Sequence, residues 1–515
     1  MEGLAIAFVG FMGAGKSEAA AAAAARLGEQ ALDGDTEIER ELGEPIAAFF
    51  DREGEAAFRE REERLALELL ERGGVVSLGG GAVESERVRE ALRRHIGVWC
   101  RVDEDSAWER SRDTGRPLAV DREVFARRFH ERLPLYESVG RVVLPEGGSD
   151  LGRRAAPWLA ALRRHPDVRI AWARSSSGDY PAAIGSGATG LLDDPVATDS
   201  LAVSRWFAVA DAEALRHHRE LLTGTEAVIE VEAAEERKTL AEAERVLREL
   251  ARAGARRDDG VIAFGGGMVG DLAGFCAASY QRGVPVVQIP TTLVAQVDSA
   301  YGGKTGVDLP EAKNYVGAYH MPAAVLADPG VLATLPEAEL AAGFVEILKT
   351  ALIAGGPLWE RVGSLDSLDP AELSDVIFAS ARTKIDVVAA DERDRGARAV
   401  LNLGHTVGHA IEAATGYRRY RHGEAVGLGL LATLRVSGAD ELRGQVERIL
   451  ERHGLPTDLD SGIGTDDVLS AAELDKKRTA EGVPFVLVER PGEPRVGVAV
   501  DPGRVRAAVE ELGAR

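Results

Sequence analysis

Gly10-Phe11-Met12-Gly13-Ala14-Gly15-Lys16-Ser17 is the stretch on which the reading of this chain turns. It satisfies G-x4-G-K-[ST], follows the apolar run Leu4 to Val9, and opens a segment containing the alanine run Ala19 to Ala25. A strand, a glycine loop and a helix in that order form the context in which the motif holds phosphate. Backbone N–H groups close around the anion, and the helix N-terminus adds its partial positive charge. Gly13 and Gly15 shape the cradle, Lys16 reaches the terminal phosphates, and Ser17 is placed to ligate Mg2+. A turn that merely joined two elements would need neither the lysine nor the hydroxyl.

Outward from that loop, strands are expected at Val75 to Leu78 and Ile96 to Val102. They alternate with charged, helical segments, which argues for a parallel sheet with crossover helices. The chain turns polar at Gly147 to Ser149, a last helix is expected at Trp158 to Arg164, and an extended stretch follows at Val168 to Ala173. The first domain is therefore placed at 1–164, with the boundary near His165-Pro166. From 168 to about 334 strands and helices alternate again, and from 335 to 515 the pattern is helical almost throughout. A chain of 515 residues agrees with several units, at about 150 residues each.

With 84 acidic against 62 basic residues, the net charge of −22 repels polyanions, so small molecules are expected as partners and nucleic acid is not. Only Cys100 and Cys276 occur, which excludes a disulfide framework and a cysteine-based zinc site and fits a cytoplasmic setting. No stretch offers ~18 uninterrupted apolar residues, so no membrane span is expected.

After the phosphate loop come Asp33-Gly34-Asp35, Phe58-Arg59, Gly79-Gly80-Gly81, Arg116-Pro117-Leu118 and Arg132-x3-Tyr136. A carboxylate can orient and deprotonate an attacking hydroxyl, and two arginines can clamp a carboxylate. This ordered set resembles shikimate kinase over nearly all of residues 1–164. The resemblance implies transfer of the ATP γ-phosphoryl to the 3-hydroxyl of shikimate. It implies that Asp35, Arg59, Gly80, Gly81 and Arg132 hold the substrate, that Asp33 assists Ser17 at Mg2+, and that Arg116 sits on a closing lid. Gly34, where a hydroxyl residue is common, and Glu18, where threonine is common, depart from the family pattern.

The larger part carries Gly265-Gly266-Gly267-Met268-Val269-Gly270-Asp271 after the apolar run Val261 to Phe264, a place where a pyrophosphate can approach the backbone. The motif is not G-x-G-x-x-G and is weak alone. It continues through Pro290-Thr291-Thr292, Asp298 and Gly302-Gly303-Lys304-Thr305-Gly306 to Lys313-Asn314. Further on, Glu346-x2-Lys349 shares one helix face, and Asn402-Leu403-Gly404-His405-Thr406-x2-His409 precedes His422-Gly423-Glu424. By spacing alone His405 and His409, at i and i+4, are both candidate metal ligands.

This run resembles 3-dehydroquinate synthase. The resemblance assigns the metal, zinc or cobalt, to Glu346, His405 and His422, and turns His409 toward substrate. It assigns NAD to Asp211, Glu235, Lys238, Gly265, Gly266, Gly267, Asp271, Thr291, Thr292 and Asp298. It gives the substrate's phosphate, carboxylate and hydroxyls to Lys304, Lys313, Asn314, Lys349, Lys384, Arg398, Asn402 and His409, with Lys476-Lys477 as a further basic site. Lys304, Lys349, Lys384 and His409 are its catalytic candidates, beside Lys16, Asp35 and Arg116 in the kinase. Asp308 and Ala312, where the family often has asparagine and glycine, are departures. The expected fold is α/β: a P-loop kinase domain with a parallel sheet, fused to an α/β NAD-binding subdomain and an all-helical metal-binding subdomain. The implied reaction converts 3-deoxy-D-arabino-heptulosonate 7-phosphate to 3-dehydroquinate and phosphate, in a homodimer. Another sugar-phosphate cyclase or a polyol dehydrogenase is the alternative for this part, and a non-catalytic nucleotide-binding module for the first.

Overall fold

The computed structural model describes residues 3–112, 121–476 and 485–513. Arg116 and Lys477 lie outside the described residues, as does the side chain of Lys476. The chain forms two compact units. One comprises 1–173, 181–183 and 187–203; the other comprises 174–180, 184–186 and 204–515.

The first unit alternates strands and helices: β1 (Ile6–Val9), α1 (Lys16–Leu27), β2 (Ala31–Asp33), α2 (Gly34–Leu42), α3 (Ile46–Arg72) and β3 (Val75–Ser77). These are followed by α4 (Glu86–Leu92), β4 (Ile96–Cys100), α5 (Glu104–Ser111), α6 (Arg122–Val139), β5 (Val142–Leu144) and α7 (Gly148–Ala161). Strands β2-β3-β1-β4-β5 are hydrogen-bonded in that order, all parallel, with β1 central. β1 and β4 are buried on both faces, which is why they read as unbroken apolar runs. Asp33, Asp103 and Asp121 cap α2, α5 and α6 by accepting backbone N–H groups. The last helix starts ten residues before the expected Trp158: polar Gly148-Ser149-Asp150 is its first turn, not a loop. Strands β6 (Arg169–Ser175) and β7 (Gly178–Ile184) are each divided between the units, and the short α8 (Pro195–Asp199) belongs to the first.

In the second unit β8 (Trp206–Asp211), α9 (Ala212–His218), β9 (Ala227–Val231), α10 (Leu240–Arg252), β10 (Gly260–Gly265), α11 (Gly267–Ser279) and β11 (Val286–Pro290) precede an antiparallel pair, β12 (Lys304–Leu309) and β13 (Ala312–Tyr319). Strand β14 (Ala324–Ala327) completes a parallel sheet ordered β14-β11-β10-β8-β9. Helix α10 buries Ala243, Val246 and Leu250, at spacings of three and four, in a core shared with Phe207, Val261, Leu272 and Val286. Each such large apolar side chain contributes about 1.5–3 kcal/mol.

The remainder is helical: α12 (Glu337–Ala354), α13 (Gly356–Gly363), α14 (Pro370–Ala390), α15 (His405–Ala414), α16 (His422–Ser437), α17 (Asp440–Arg452), α18 (Thr465–Lys476) and, at the end, α19 (Pro502–Gly513). It is not all-helical as expected. Strands β15 (Phe485–Val488) and β16 (Pro494–Val498) form an antiparallel pair around Pro491-Gly492, and β15 buries all four of its residues. No described helix is long and apolar enough to cross a membrane. Cys100 and Cys276 are free and buried, and burial pushes both thiols up to about 12.

Candidate active sites

Helix α1 begins at Lys16 with Gly15 as its N-cap, and no side chain caps it, so its first N–H groups remain available to an anion. Gly13 has φ 79, in the left-handed region, and a Cβ there would stand 2.9 Å from the Ala107 carbonyl oxygen. The loop therefore takes this path only as glycine. Lys16 is buried. Ser17 Oγ lies 3.2 Å from Ser77 Oγ, and sheet register sets Asp33 beside Ser77. The Ser17 and Ser77 hydroxyls thus meet, with Asp33 the register neighbour of Ser77 and its Oδ1 accepting the Thr36 N–H at 3.1 Å; hydroxyl and carboxylate oxygens are the hard donors that suit Mg2+.

Next to the cradle lies an arginine pocket built from α3, α6 and the glycine turn after β3. Arg59 pairs with Glu62 at 2.5 Å and with Glu55 at 3.1 Å. Arg132 is buried, donates from Nε to Glu84 at 3.0 Å, and has Nη1 3.5 Å from the Gly80 carbonyl. Tyr136 donates its hydroxyl to the same carbonyl at 2.5 Å. A Cβ on Gly81 would fall 1.9 Å from Arg59 Nη1, so a side chain there would displace the guanidinium from this position. Burial raises the Glu62 carboxyl above its ordinary value, against the pull of Arg59, and Asp35 adds to the rise. The sequence reading missed Glu62 and Glu84, which look like solvated charge along a polar helix and turn.

In the second unit the glycine run behaves like the first cradle. Gly266 caps α11 without a side-chain bond, and a Cβ on it would stand 2.9 Å from Thr292 Cγ2. The N-terminus of α11 is at the C-terminal edge of the central strand β10, where order reverses in open parallel sheets. Asp211 ends β8, and burial raises its carboxyl. Lys238 Nζ lies 3.3 Å from both Glu235 and Asp271 and 2.6 Å from Asn314 Oδ1. Asn314, read as a substrate contact, thus accepts a hydrogen bond from Lys238, which was read as a cofactor contact. Asp308, one of the departures, accepts the Asn314 backbone N–H at 2.6 Å. Thr291 is buried, with its N–H bonded to the Gly265 carbonyl.

The metal candidates come together because three helices approach closely. A Cβ on Gly423 would lie 1.8 Å from the Ala342 carbonyl, and one on Gly429 2.1 Å from the Gly404 carbonyl. Those contacts draw α16 against α12 and against the start of α15. Glu346 Oε1 then lies 3.7 Å from His405 Nε2 and 3.5 Å from His422 Nε2. His405 Nδ1 is 3.1 Å from the Leu403 carbonyl, which sets its tautomer and leaves Nε2 for a ligand. His422 Nδ1 is 3.4 Å from Glu412 Oε1, a partner the sequence reading missed although Glu412 lies seven residues past His405 on the same helix face. Glu346 Oε1 is buried without a hydrogen-bond partner. A buried anionic oxygen left so is costly, and a divalent cation shared with two imidazoles satisfies it, so the donor set fits zinc or cobalt. Burial, then the neighbouring Lys349, pull His405 down to about 3. Burial opposes the charge on His422 too, but Glu346 and Glu412 outweigh it and hold the ring at about 10.

Around these ligands lies a basic cluster. Buried Lys349 donates to Glu346 Oε2, and buried Lys384 donates to Asp298 at 2.6 Å, which ties Asp298, read as a cofactor contact, to this group. Arg398 is buried, with Nη1 2.9 Å from the Glu392 carbonyl. The His409 ring is 5.2 Å from that of His405. Lys304 and Lys313 are exposed: Lys304 pairs with Asp394 at 2.5 Å, and Lys313 lies 3.6 Å from Glu235 and 4.3 Å from the Tyr417 ring. Asn402 is exposed at the end of a 3-10 turn.

The two folds and their sites define the class: a P-loop phosphotransferase joined to a dinucleotide- and metal-binding enzyme. Residues 12–158 match the shikimate kinase family, residues 228–342 the 3-dehydroquinate synthase N-terminal family, and residues 343–478 its C-terminal counterpart. A 3-dehydroquinate synthase of Symbiobacterium thermophilum is 43% identical over 352 residues, covering 65% of this chain and 98% of that protein. One of Gloeobacter violaceus is 42% identical, covering 60% and 90%. A solved 2-epi-5-epi-valiolone synthase from Streptomyces hygroscopicus, with NAD+ and Zn2+ bound, is 26% identical over 65% of this chain and 96% of its own, at a TM-score of 0.58. The chain belongs to the 3-dehydroquinate synthase family and carries a shikimate kinase ahead of the synthase. It is a bifunctional enzyme of the shikimate pathway, a transferase and a lyase acting on small molecules.

Proposed function

We propose that residues 1–164 phosphorylate the 3-hydroxyl of shikimate from Mg2+-ATP, and that residues 168–515 convert 3-deoxy-D-arabino-heptulosonate 7-phosphate to 3-dehydroquinate. Within the latter, 168–334 hold NAD and 335–515 the metal. The reading includes a cytoplasmic enzyme that dimerises through its synthase half.

In the kinase, Asp35 accepts the proton of the attacking hydroxyl, Arg59 and Arg132 clamp the substrate carboxylate, and Gly80 and Gly81 give it room. Lys16, with Arg116, offsets charge that builds on the transferred phosphoryl group, while Ser17 and Asp33 hold Mg2+.

In the synthase, Glu346, His405 and His422 hold the metal, and the loop at Gly265–Gly267 with Asp211, Glu235, Lys238, Asp271, Thr291, Thr292 and Asp298 holds NAD. When bound, NAD+ takes and returns a hydride and Zn2+ or Co2+ polarises a substrate oxygen. Lys304, Lys313, Lys349, Lys384, Arg398, the Lys476-Lys477 pair, Asn314 and Asn402 orient the substrate and neutralise its phosphate and carboxylate. His409 exchanges a proton with it. The observation that carries this reading is the orphaned Glu346 oxygen facing two imidazole nitrogens. The test is phosphate release from the heptulosonate phosphate with NAD+ and Zn2+, repeated after chelation and in His405→Ala. Turnover should vanish in both controls; turnover that survives both overturns the metal assignment.

A further inference from the structure

Glu84 ends the 3-10 turn Ala82–Glu84, directly after the glycines of the arginine pocket. Its Oε1 lies 3.0 Å from Arg132 Nε and 2.9 Å from Nη2, and its Oε2 lies 3.3 Å from Arg59 Nε. One carboxylate of the chain therefore spans both guanidinium groups assigned to the substrate's carboxylate. The fit is incomplete: Arg59 Nε and Arg132 Nη2 are buried, and neither makes a hydrogen bond of acceptable angle. A carboxylate free to align with them would satisfy donors that Glu84 only approaches.

Glu62, a second acid on Arg59, differs in one decisive respect. Its side chain is 5% exposed and that of Glu84 39%. The Glu84 carboxylate can swing into water, leaving Arg132 to be paired by an incoming anion, whereas Glu62 is itself enclosed and cannot. Glu55 is likewise committed, since Arg128 holds it from the other side with bonds of 3.0 and 3.2 Å.

We propose that Glu84 is a displaceable internal stand-in for the substrate carboxylate, and so a determinant of shikimate affinity. In the empty pocket it keeps two like-charged arginines neutralised and spaced; the arriving carboxylate takes its place. The inference rests on the assignment of Arg59 and Arg132 to the shikimate carboxylate. Apparent affinity is reduced by the fraction of time Glu84 is engaged.

The experiment is steady-state kinase assay of the full chain with shikimate and with its methyl ester, which lacks the charge. Glu84→Gln should lower KM for shikimate by roughly two- to fivefold, the range expected for a partly exposed ion pair, with kcat moving less. KM for the ester should stay the same in wild type and variant. Glu84→Asp keeps the charge but cannot span both arginines, and should resemble Glu84→Gln. A wild-type KM in Glu84→Asp would assign the effect to the local field and overturn displacement. An unchanged or raised KM in Glu84→Gln would make Glu84 a structural brace and also overturn it. Arg132→Lys separates the two levels of argument: no change in KM for shikimate sinks the clamp and the proposal together. A large rise there, with no fall in Glu84→Gln, sinks the proposal alone.

Discussion

Replacing Lys349 by methionine should reveal how the synthase centre balances charge with and without metal. Lys349 is 1% exposed and Glu346 2%, and the ammonium donates a charge-assisted hydrogen bond to Oε2 of the carboxylate. Methionine fills similar space, so the loss is electrostatic and little cavity forms. Removing one partner of a buried pair costs about 3–5 kcal/mol. With Zn2+ on Glu346, His405 and His422, the dication takes over as counter-charge, and the cost should shrink to the ~1–2 kcal/mol of a lost hydrogen bond. The difference, about 2–3 kcal/mol, becomes additional stabilisation by metal. At roughly 2 °C per kcal/mol for a larger domain, zinc should raise the synthase unfolding transition about 4–6 °C further in Lys349→Met than in wild type. Differential scanning calorimetry in chelator and in zinc measures both shifts. Equal zinc shifts in the two proteins would refute the reasoning, because Lys349 and the metal would then not be serving the same carboxylate.

Three further outcomes follow from the same geometry. Glu412→Gln weakens the acceptor behind His422 Nδ1 and should lower zinc affinity by roughly 10–100-fold, read by competition with a chromogenic chelator; unchanged affinity would remove Glu412 from the metal's support. Gly81→Ala puts a methyl where Arg59 Nη1 now lies and should raise KM for shikimate at least roughly tenfold, the worth of one charge-assisted bond, while KM for ATP holds. Burial, against the pull of Lys238, holds the Asp271 carboxyl at about 6 rather than 3.8. The folded chain then keeps a proton that the unfolded chain has released, so this contribution is full below about pH 4 and is lost as pH rises toward 6. Urea titrations of the NAD-free protein should accordingly show a shallower fall in stability across that window for Asp271→Asn than for wild type, and identical slopes would contradict it.

The phosphate loop was legible because its chemistry is contiguous: strand, glycines, lysine and hydroxyl fall within a dozen residues. The metal ligands were legible only in part. Spacing offered His405 and His409 as equals; the fold sets His405 and His422 against Glu346, because Gly423 and Gly429 let three helices touch. Glu62 and Glu84 were invisible, since a glutamate in a charged segment carries no sign of the arginine it will meet. Polar Gly148-Ser149-Asp150 imitated a loop because the first turn of a helix, with its open N–H groups, favours the same residues as a turn. The late β15–β16 pair was hidden by its shortness and by the helical periodicity on either side.

The two cysteines offer a practical opening. Both are buried, and at thiol values near 12 almost no thiolate forms at neutral pH, so neither competes for an electrophile. The natural chain is in effect already a cysteine-free background. A single cysteine introduced on the surface would be the one position to take a maleimide dye or spin label, and a pair of them, one in each unit, would give an inter-unit distance during turnover without removing a native residue first.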